Sequence, residues 1–400
     1  MTAGVTVAIV NEESHKGEDA SSTMDRAGVL AYGVFDGHGG KHCSQACASN
    51  GPSGILPMIL SAMDGSTLPS DTAVTDAFWT ADAAIGADML LHAERPHAGS
   101  TATILCLAPG KSADADFECL LAWVGDSTGI VVDMQGAGRL AHVSRNHSPD
   151  VMPEVDFLHH LAAVAKQVRK KRKKEADGGA GGDDDDDGAD GKGEHLEIPP
   201  STDEVEDALR ALKKPMDDAA LVHRALVREK LIMSHIPKGG KYRRNVCVYR
   251  RPIEKDANEP LAIATTLDPY SSHHRDLQMS RSICDWTKTS WILPHPEIQR
   301  FSLSPSACTR IVLASDGLWD VTSHAHALQM VRAASSCTEA ANALLAHAHH
   351  VYCDERQLDR PGDDTTVMVI EVNPNAVEWT PPPASQIPVE EDAAGCCLLS

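Results

Sequence analysis

Carboxylates that stand at the ends of short apolar runs are the residues of this chain best suited to chemistry. Four apolar runs have an aspartate within two residues of one end, and most of these aspartates neighbour a glycine. Glycine lets a backbone and a ligand approach each other closely. If the run ends share one edge of a sheet, the carboxylates converge, their repulsion raises their pKa values, and a hard divalent cation removes that cost. The residues are Asp36 after 31–35, Asp126 after 120–124, Asp316 after 311–314, and Asp363 and Asp364 before 365–372.

The ligand chemistry favours one class of metal ion. Carboxylates and retained waters suit Mg²⁺ or Mn²⁺, whereas Zn²⁺ sites are usually built with histidine or cysteine. A single Asp-Gly pair is typical of an ordinary turn. Four strand ends together with Asp-Gly-His-Gly-Gly at 36–40 and Ser-Asp-Gly-Leu-Trp-Asp at 315–320 instead predict a metal centre.

Short apolar runs bounded by Gly, Asp, Asn or Pro predict the strands that must hold these carboxylates. The predicted strand ending at 124 turns at 125–127 directly into the next strand, with no helix between them. Such meanders with segregated helices favour an α+β fold over a doubly wound sheet. The predicted strands are 5–10, 29–35, 101–107, 117–124, 130–133, 311–314 and 365–372, and the predicted helices are 71–93, 325–334 and 338–351.

The motifs, taken in their order along the chain, resemble the metal-dependent Ser/Thr protein phosphatases of type 2C. The resemblance covers about 5–372 and is specific as an ensemble. It implies a four-layer α-β-β-α sandwich with two central antiparallel sheets, and an enzyme that hydrolyses phosphoserine and phosphothreonine in proteins. The matching segments are Glu18-Asp19, 34–40 (VFDGHGG), 99–102 (GSTA), 123–127 (WVGDS), 146–149 (NHSP), 280–285 (SRSICD), 314–321 (ASDGLWDV) and 363–367 (DDTTV).

The resemblance also implies a role for each metal ligand. Asp36 would bridge two ions. The Gly37 carbonyl would ligate one of them, and Glu18 would act there through water. Asp316 and Asp363 would ligate the other ion.

A third metal site and an acid complete the implied mechanism. Asp126 and Asp320, with Asp285, would hold a third ion more weakly, so the implied cofactors are two or three Mg²⁺ or Mn²⁺ ions. A water activated by two metals would attack phosphorus in line. His38 would be the general acid, because a Ser or Thr alkoxide is a poor leaving group.

Four positions depart from the family pattern. Ser14 stands where the family often has an Arg that grips substrate phosphate. His15 or Lys16 would take over phosphate binding, although neither offers a bidentate fork. None of the departures removes a core metal ligand, so we expect activity. The others are Cys284 before Asp285, where glycine is usual, Asp364 for the usual Asn, and Thr128 for a frequent Arg.

Composition excludes several classes of protein. The chain has 400 residues, a hydrophobic content of 42% and a net charge of −21, so it can bury a large core and is a poor match for nucleic-acid phosphates. Its 11 cysteines include no Cys-x-x-Cys pair, and residues 1–4 show no secretory signal. Because disulfides form mainly in secreted proteins, we expect the cysteine thiols to be reduced. No apolar run is long enough to predict a membrane span.

Two segments differ from the rest of the chain: an insertion within the predicted catalytic domain, 1–373, and the tail that follows this domain. The stretch 157–226 contains the basic run 166–174 and five aspartates at 183–187, and such charge blocks predict a disordered insertion. The basic run fits nuclear import or an anionic surface, or is simply solvated. The segment 374–400 contains three consecutive prolines and predicts a flexible tail.

The sequence at 397–400 fits a C-a-a-X box for farnesylation of Cys397, and Cys396 could accept palmitate. One prenyl chain alone binds membranes only marginally, so a second signal is expected. We therefore predict association with the cytoplasmic side of a membrane and a cytosolic pool, with the nucleus as an alternative. The expected partners are phosphorylated proteins, and no nucleic acid.

Three alternatives stay open at this point. A catalytically weak phosphatase-like scaffold, binding phosphoproteins at a membrane, is favoured by Ser14. A serine hydrolase using Ser127 would need a helix after the Gly-x-Ser-x-Gly elbow, with Asp320 and His349 completing a triad. Zinc binding by His347, His349 and His350 with Cys337 and Cys353 lacks ligand spacing from a second element.

Overall fold

The computed structural model describes residues 4–92, 98–111, 116–135, 138–148, 154, 221, 224–225, 227–228, 247–250, 261–264, 277–286 and 292–373. The predicted metal, acid and phosphate residues all fall in these ranges. The predicted insertion lies outside them except for residues 221 and 224–225, and the predicted tail lies outside them entirely. Both segments, with Cys396 and Cys397, therefore stay predictions.

Strands dominate the described chain. They are β1 (Val5–Glu12), β2 (Ala20–Arg26), β3 (Val29–Phe35), β4 (Gly37–His38), β5 (Gly99–Ser100), β6 (Ala102–Pro109), β7 (Phe117–Val124), β8 (Thr128–Asp133), β9 (Arg139–Val143), β10 (Cys247–Arg250), β11 (Leu261–Ala264), β12 (Ile283–Cys284), β13 (Glu297–Leu303), β14 (Thr309–Ala314) and β15 (Thr365–Val372).

The helices follow the same chain order. They are α1 (His42–Cys47), α2 (Ile55–Ser61), α3 (Asp71–His92), α4 (Asp316–Trp319), α5 (His324–Ala333) and α6 (Cys337–His349), with a π-helical turn at His350–Glu355. The predicted helices correspond to α3, α5 and α6. Ser323 and Ser336 cap the amino ends of α5 and α6, because their hydroxyls accept the N–H groups of His326 and Glu339. Among the described helices, none combines the length and the apolar character needed to cross a membrane.

The chain divides into two compact units. The larger comprises Met1–Asn146, Arg281–Asp285 and Pro294–Ser400, and the smaller comprises His147–Ser280 and Trp286–Leu293. In the smaller unit, β10 and β11 form an antiparallel pair. All predicted metal, acid and phosphate-binding residues belong to the larger unit.

Two antiparallel five-stranded sheets form the larger unit. The first sheet has the strand order β1-β15-β14-β8-β9, and the second has the order β13-β7-β6-β3-β2. A small third sheet, β12-β5-β4, joins three two-residue strands. The predicted strands are all present, and the order shows that β2, β9 and β13 lie at sheet edges.

A hydrophobic core lies between the two large sheets. Leu105 and Leu121 of the second sheet pack in one cluster with Leu313 and Met368 of the first. The next residue along β14, Val312, belongs to a different cluster, because successive side chains of a strand point to opposite faces. Both faces of β14 are therefore buried.

Helices cover the outer face of each sheet. On the first sheet, Val312 clusters with Ala340 and Leu344 of α6. On the second sheet, α2 lies against β2 and β3, and Arg26 donates a hydrogen bond of 3.0 Å to the Leu60 carbonyl. The predicted α+β fold, a four-layer α-β-β-α sandwich with two central antiparallel sheets, is confirmed.

Candidate metal centre

Sheet topology brings the carboxylates that follow β3 and β7 to one edge. Both strands pair antiparallel with β6, so they run in the same direction and end at the same side. Asp36 follows β3 directly, and Asp126 lies in the turn between β7 and β8.

The first sheet delivers a third carboxylate to the same place. Ala314 at the end of β14 pairs with Thr128 at the start of β8, so β14 ends beside the turn that contains Asp126. Asp316 follows as the first residue of α4. One carboxylate oxygen from each of Asp36, Asp126 and Asp316 lies within 4.8 Å of the other two, an arrangement that could hold a metal ion.

Burial and mutual repulsion raise the pKa values of these three carboxyls. Burial, then the charges of Asp316 and Asp19, raise the pKa of Asp36 well above its usual range. Burial, then Asp126, do the same for the pKa of Asp316. Burial and the charge of Asp320 raise the pKa of Asp126 to about 7.

The donor set fits a hard divalent cation. Oδ1 of Asp126 and Oδ1 of Asp316 are buried and have no hydrogen-bond partner among the described residues. A buried polar atom without a partner is costly. An Mg²⁺ or Mn²⁺ ion ligated by these oxygens would satisfy them and offset the repulsion that raises the pKa values.

Two further predicted ligands border this cluster. The charge of Asp363 acts on the carboxyls of Asp36, Asp126 and Asp316, and each of their pKa values is raised in part by it. Asp320 is more exposed than the others, and its charge contributes to the raised pKa values of Asp126 and Asp316.

Lys16 is bound to a predicted metal ligand. Its Nζ atom lies 2.5 Å from Oδ2 of Asp363. Partial burial lowers the pKa of Lys16, but the hydrogen bond and charge of Asp363 outweigh this effect, and the net direction is upward. His15, the other predicted phosphate-binding residue, is exposed.

Asp364 organises the loop that carries Glu18. Its Oδ1 accepts hydrogen bonds from the backbone N–H groups of Ser14 at 2.6 Å and Gly17 at 3.2 Å. Its Oδ2 accepts the N–H of Glu18 at 2.5 Å. Burial raises the pKa of Asp364, but these hydrogen bonds outweigh it and lower the pKa overall. The aspartate that replaces the family's usual Asn thus has a structural use for both of its oxygens.

Asp19 is a carboxylate that sequence reasoning left without a role. Its Oδ2 accepts a hydrogen bond of 2.8 Å from the Ser315 hydroxyl, and its Oδ1 is buried without a partner in the described chain. Burial is the main reason that the pKa of Asp19 rises to about 7. The Glu18-Asp19 motif contains this residue, but the resemblance implies a metal-binding role only for Glu18.

Glycine is required beside Asp36. A Cβ atom on Gly37 would overlap the Glu18 carbonyl oxygen and lie 2.7 Å from the Ser44 hydroxyl. That hydroxyl donates a hydrogen bond to the same carbonyl. The close backbone approach holds Glu18 next to Gly37, as a shared metal site would require.

His38 lies beside Asp285. Its Nε2 atom is 2.9 Å from Oδ1 and 2.8 Å from Oδ2 of the Asp285 carboxylate. Asp285 is not one of the three residues whose oxygens cluster for a metal ion. The preceding Cys284 has a φ of 68°, a left-handed conformation that explains why glycine is usual there.

The structure does not assemble the other predicted catalytic groups. Ser127 is followed by strand β8 and not by a helix, and its hydroxyl lies 2.8 Å from that of Thr101. His349 pairs with Glu12 at 2.8 Å instead of joining Asp320 and Ser127. Among the described residues, no metal-capable group includes the histidines of α6 or Cys337 and Cys353.

Comparisons with known proteins identify the family. The family profile Protein phosphatase 2C matches residues 8–156 and 270–356. The chain is 32% identical over 96 residues to Probable protein phosphatase 2C 74 of Oryza sativa subsp. japonica. The aligned segment covers 24% of this chain and 22% of that protein. It is 34% identical over 111 residues to Probable protein phosphatase 2C 33 of the same plant. That aligned segment covers 27% of this chain and 23% of that protein. The matched segments thus span less than a quarter of these relatives.

Solved structures share the fold. A serine-threonine phosphatase 2C from Toxoplasma gondii superimposes with a TM-score of 0.54 and 16% identity, covering 92% of this chain and 95% of that one. A C. elegans sex determining protein does so with a TM-score of 0.50 and 16% identity, covering 92% and 65%. The profile match covers more than half of the sequence, and the chain belongs to the protein phosphatase 2C family.

Proposed function

We propose that this protein is a metal-dependent phosphatase that hydrolyses phosphoserine and phosphothreonine in proteins. The observation that carries the proposal is the convergence of Asp36, Asp126 and Asp316 in a chain of this family, with one buried oxygen each of Asp126 and Asp316 lacking a hydrogen-bond partner among the described residues. Such a cluster has little structural use by itself, because it costs free energy without a cation.

The proposed ligands divide between two main ions. Asp36 and the Gly37 carbonyl would hold one ion, with Glu18 acting through water. Asp316 and Asp363 would hold the other, and Asp36 would bridge the two. When bound, the ion pair lowers the pKa of an attacking water and offsets the charge of the phosphoryl oxygens.

The remaining residues serve the leaving group and a third ion. His38 would donate a proton to the departing Ser or Thr oxygen, because an unprotonated alkoxide leaves poorly. Asp126 and the more exposed Asp320 would hold a third, weaker ion. Asp19 accepts a hydrogen bond from Ser315. It would bind water or another ligand beside the acidic cluster, which consists of Asp36, Asp126 and Asp316.

The test is a phosphatase assay on a phosphothreonine peptide. We expect turnover with Mn²⁺ or Mg²⁺, none with EDTA, and a loss of at least about 100-fold in Asp36→Ala and Asp316→Ala. Asp25→Asn is a control, because Asp25 is exposed, lies near the end of β2 and is not part of the cluster of Asp36, Asp126 and Asp316. Activity that survives EDTA or both alanine substitutions would contradict the metal mechanism.

A second candidate is a phosphatase-like scaffold with weak or no catalysis. It is favoured by Ser14, which stands where an Arg would grip phosphate, and by Lys16, whose ammonium group is engaged by Asp363. Absence of turnover at every Mn²⁺ concentration, with retained binding of a phosphopeptide, would favour the scaffold.

Lipid attachment at Cys396 and Cys397 concerns where the protein acts. Membrane association, the cytosolic pool and the nuclear alternative all stay proposals. Mass spectrometry of the C-terminal peptide from the cellular protein would detect a farnesyl or palmitoyl group. A Cys397→Ser variant that partitions to membranes as well as the wild type would overturn the lipid proposal.

A further inference from the structure

Arg356 stands at the end of the π-helical turn, His350–Glu355. Its backbone N–H donates a 3.0 Å hydrogen bond to the Val351 carbonyl and so closes the turn. The next residue, Gln357, has a φ of 56°, in the left-handed region that non-glycine residues rarely adopt. Turns of this π-helical kind are rare in proteins and occur frequently at functional sites.

The ring of Tyr352 connects Arg356 to the predicted metal ligands. The guanidinium carbon of Arg356 lies 5.1 Å from the centroid of this ring, which is a cation–π contact. The same ring packs against Gly362, because a Cβ atom on Gly362 would lie 2.9 Å from Cε1 of Tyr352. Gly362 immediately precedes the predicted ligand Asp363. Since Tyr352 is buried, its ring is a fixed platform for the guanidinium group.

Electrostatic effects agree with this position beside the metal centre. Burial is the main reason that the pKa of Tyr352 rises, and the charges of Asp320 and Asp316 add to the rise. Burial and the charge of Asp363 raise the pKa of Asp320, whereas the charge of Arg356 acts in the opposite direction. The guanidinium group therefore borders the side of the metal centre that carries Asp320.

The guanidinium group of Arg356 is exposed and has no fixed anionic partner. It forms no ion pair and no hydrogen bond with the part of the chain that the structure describes. The ammonium group of Lys16, in contrast, is bound by Asp363 at 2.5 Å. A guanidinium presents its donors as a planar fork that matches two oxygens of a phosphate group, and an ammonium does not. Arg356 thus has the chemistry and the freedom to bind a phosphate at the edge of the metal centre.

We propose that Arg356 binds the phosphoryl group of the substrate through its guanidinium fork, at the Asp320 side of the metal centre. The inference rests on the proposed phosphatase function and deepens it, because it names the residue that recognises substrate phosphate. The ligand class is a phosphate monoester dianion, and the inorganic phosphate released as product shares its chemistry. Tyr352 is then a positioning residue, whose ring orients the guanidinium group without touching the phosphate.

The first test compares a peptide with a small substrate. In the full-length protein with saturating Mn²⁺, we expect Arg356→Met to raise KM for a phosphothreonine peptide about 10-fold, the effect of losing a charged hydrogen bond. We expect kcat to change less than about 3-fold, because the contact is made before and during the reaction. KM for 4-nitrophenyl phosphate should rise equally, since this compound carries the phosphate without the peptide. A rise for the peptide alone would overturn the proposal, because Arg356 would then contact the peptide and not the phosphate.

Two further variants separate a direct contact from a general effect of charge. Arg360→Met is the matched control, because Arg360 is exposed on the same loop, and it should leave KM unchanged. Arg356→Lys keeps the charge but loses the fork, so it should still raise KM several-fold. An equal rise in Arg360→Met, or an Arg356→Lys protein equal to the wild type, would overturn the proposal. So would an Arg356→Met protein that changes only the Mn²⁺ requirement, because Arg356 would then act only on the metal ligands.

Calorimetric titration with inorganic phosphate does not depend on turnover. We expect the Mg²⁺-loaded wild type to bind phosphate about 10-fold more tightly than Arg356→Met, and Arg360→Met to bind it like the wild type. Equal affinities in the wild type and Arg356→Met would overturn the proposal. If the wild type hydrolyses neither substrate, the proposed function fails, whereas the phosphate titration still decides whether Arg356 binds phosphate.

Discussion

At the scale of single residues, Lys16 is a positive charge within the acidic cluster. Its ammonium group lies 2.5 Å from Asp363, and the charges of Asp316 and Asp36 also favour its protonated form. An ammonium group in contact with a ligand carboxylate competes with a metal ion for that carboxylate. The same contact keeps Lys16 close to where substrate phosphate would bind.

Lys16→Met distinguishes these two roles. If Lys16 chiefly competes with the metal, the Mn²⁺ concentration for half-maximal activity should fall several-fold, because Asp363 loses its competing partner. The measurement is a Mn²⁺ titration of turnover on a phosphothreonine peptide, with Lys41→Met as a surface control. A higher KM for the peptide, with an unchanged Mn²⁺ requirement, would instead identify Lys16 as the phosphate-binding residue predicted from the sequence.

Residue types and spacing predicted some site residues better than others. Asp36, Asp126 and Asp316 stand next to apolar runs, so strand ends and carboxylates could be recognised together, and the structure brings these three side chains together. Asp285 follows a strand of only two residues, which has no periodicity to recognise. Its contact with His38 depends on pairing across Gly99, which is a long-range property of the fold.

At the scale of elements, a buried ion pair joins β14 and β15. Arg310 and Glu371 are directly opposite in the antiparallel register, and Nε of Arg310 lies 2.7 Å from Oε1 of Glu371. The arginine Nη1 also donates to the carbonyls of Val331 and Ala334 at 2.6 and 2.7 Å, at the carboxyl end of α5. One guanidinium therefore connects the first sheet to the helix layer.

Arg310→Met should destabilise the fold by about 3–5 kcal/mol, because it leaves the Glu371 charge buried without its partner. The double variant with Arg310→Met and Glu371→Met should recover much of this loss, since no charge is then buried. The free energy of unfolding in urea, measured for both single variants and the double variant, checks the prediction. Losses that simply add would show that the two side chains do not act as a pair.

Within the two large sheets, the strands that sequence analysis missed all lie at an edge. β2, β9 and β13 are edge strands with partly exposed, mostly polar side chains, so they lack the continuous apolar runs of β14 and β15. Central strands are buried on both faces and are therefore recognisable from composition. Edge strands depend on pairing with a neighbour, and neither their polarity nor their spacing distinguishes them from loops.

At the scale of the whole molecule, the acidic cluster links metal binding to stability. The net charge is −21, and the cluster concentrates several of these carboxylates in a buried site. Burial raises the pKa values of Asp19 and Asp126 to about 7, whereas an aspartate in an unfolded chain has a pKa of about 3.9. Without metal, the folded state therefore holds protons that the unfolded state has already released.

The sign of the pH dependence follows from this difference in bound protons. Where the folded state binds more protons than the unfolded state, stability falls as pH rises. The metal-free protein should thus lose stability from about pH 4 to about pH 7, and the contribution of the two carboxyls is fully present only below the lower value. Mn²⁺ binds the ionised carboxylates, so its stabilising effect should grow over the same interval.

Thermal unfolding at pH 5.5 and pH 8, with EDTA or with Mn²⁺, tests this linkage. We expect the EDTA-treated protein to melt several degrees lower at pH 8, and the increase in Tm caused by Mn²⁺ to be larger at pH 8 than at pH 5.5. Because 20 histidines also titrate in this interval, the comparison needs Asp126→Asn, which removes one raised carboxyl and should flatten the metal-free pH dependence. An unchanged slope in Asp126→Asn, or a metal-free Tm that rises with pH, would show that the cluster does not hold protons at neutral pH. In that case the cation would be bound by carboxylates that are already ionised, and metal binding would release no protons from them.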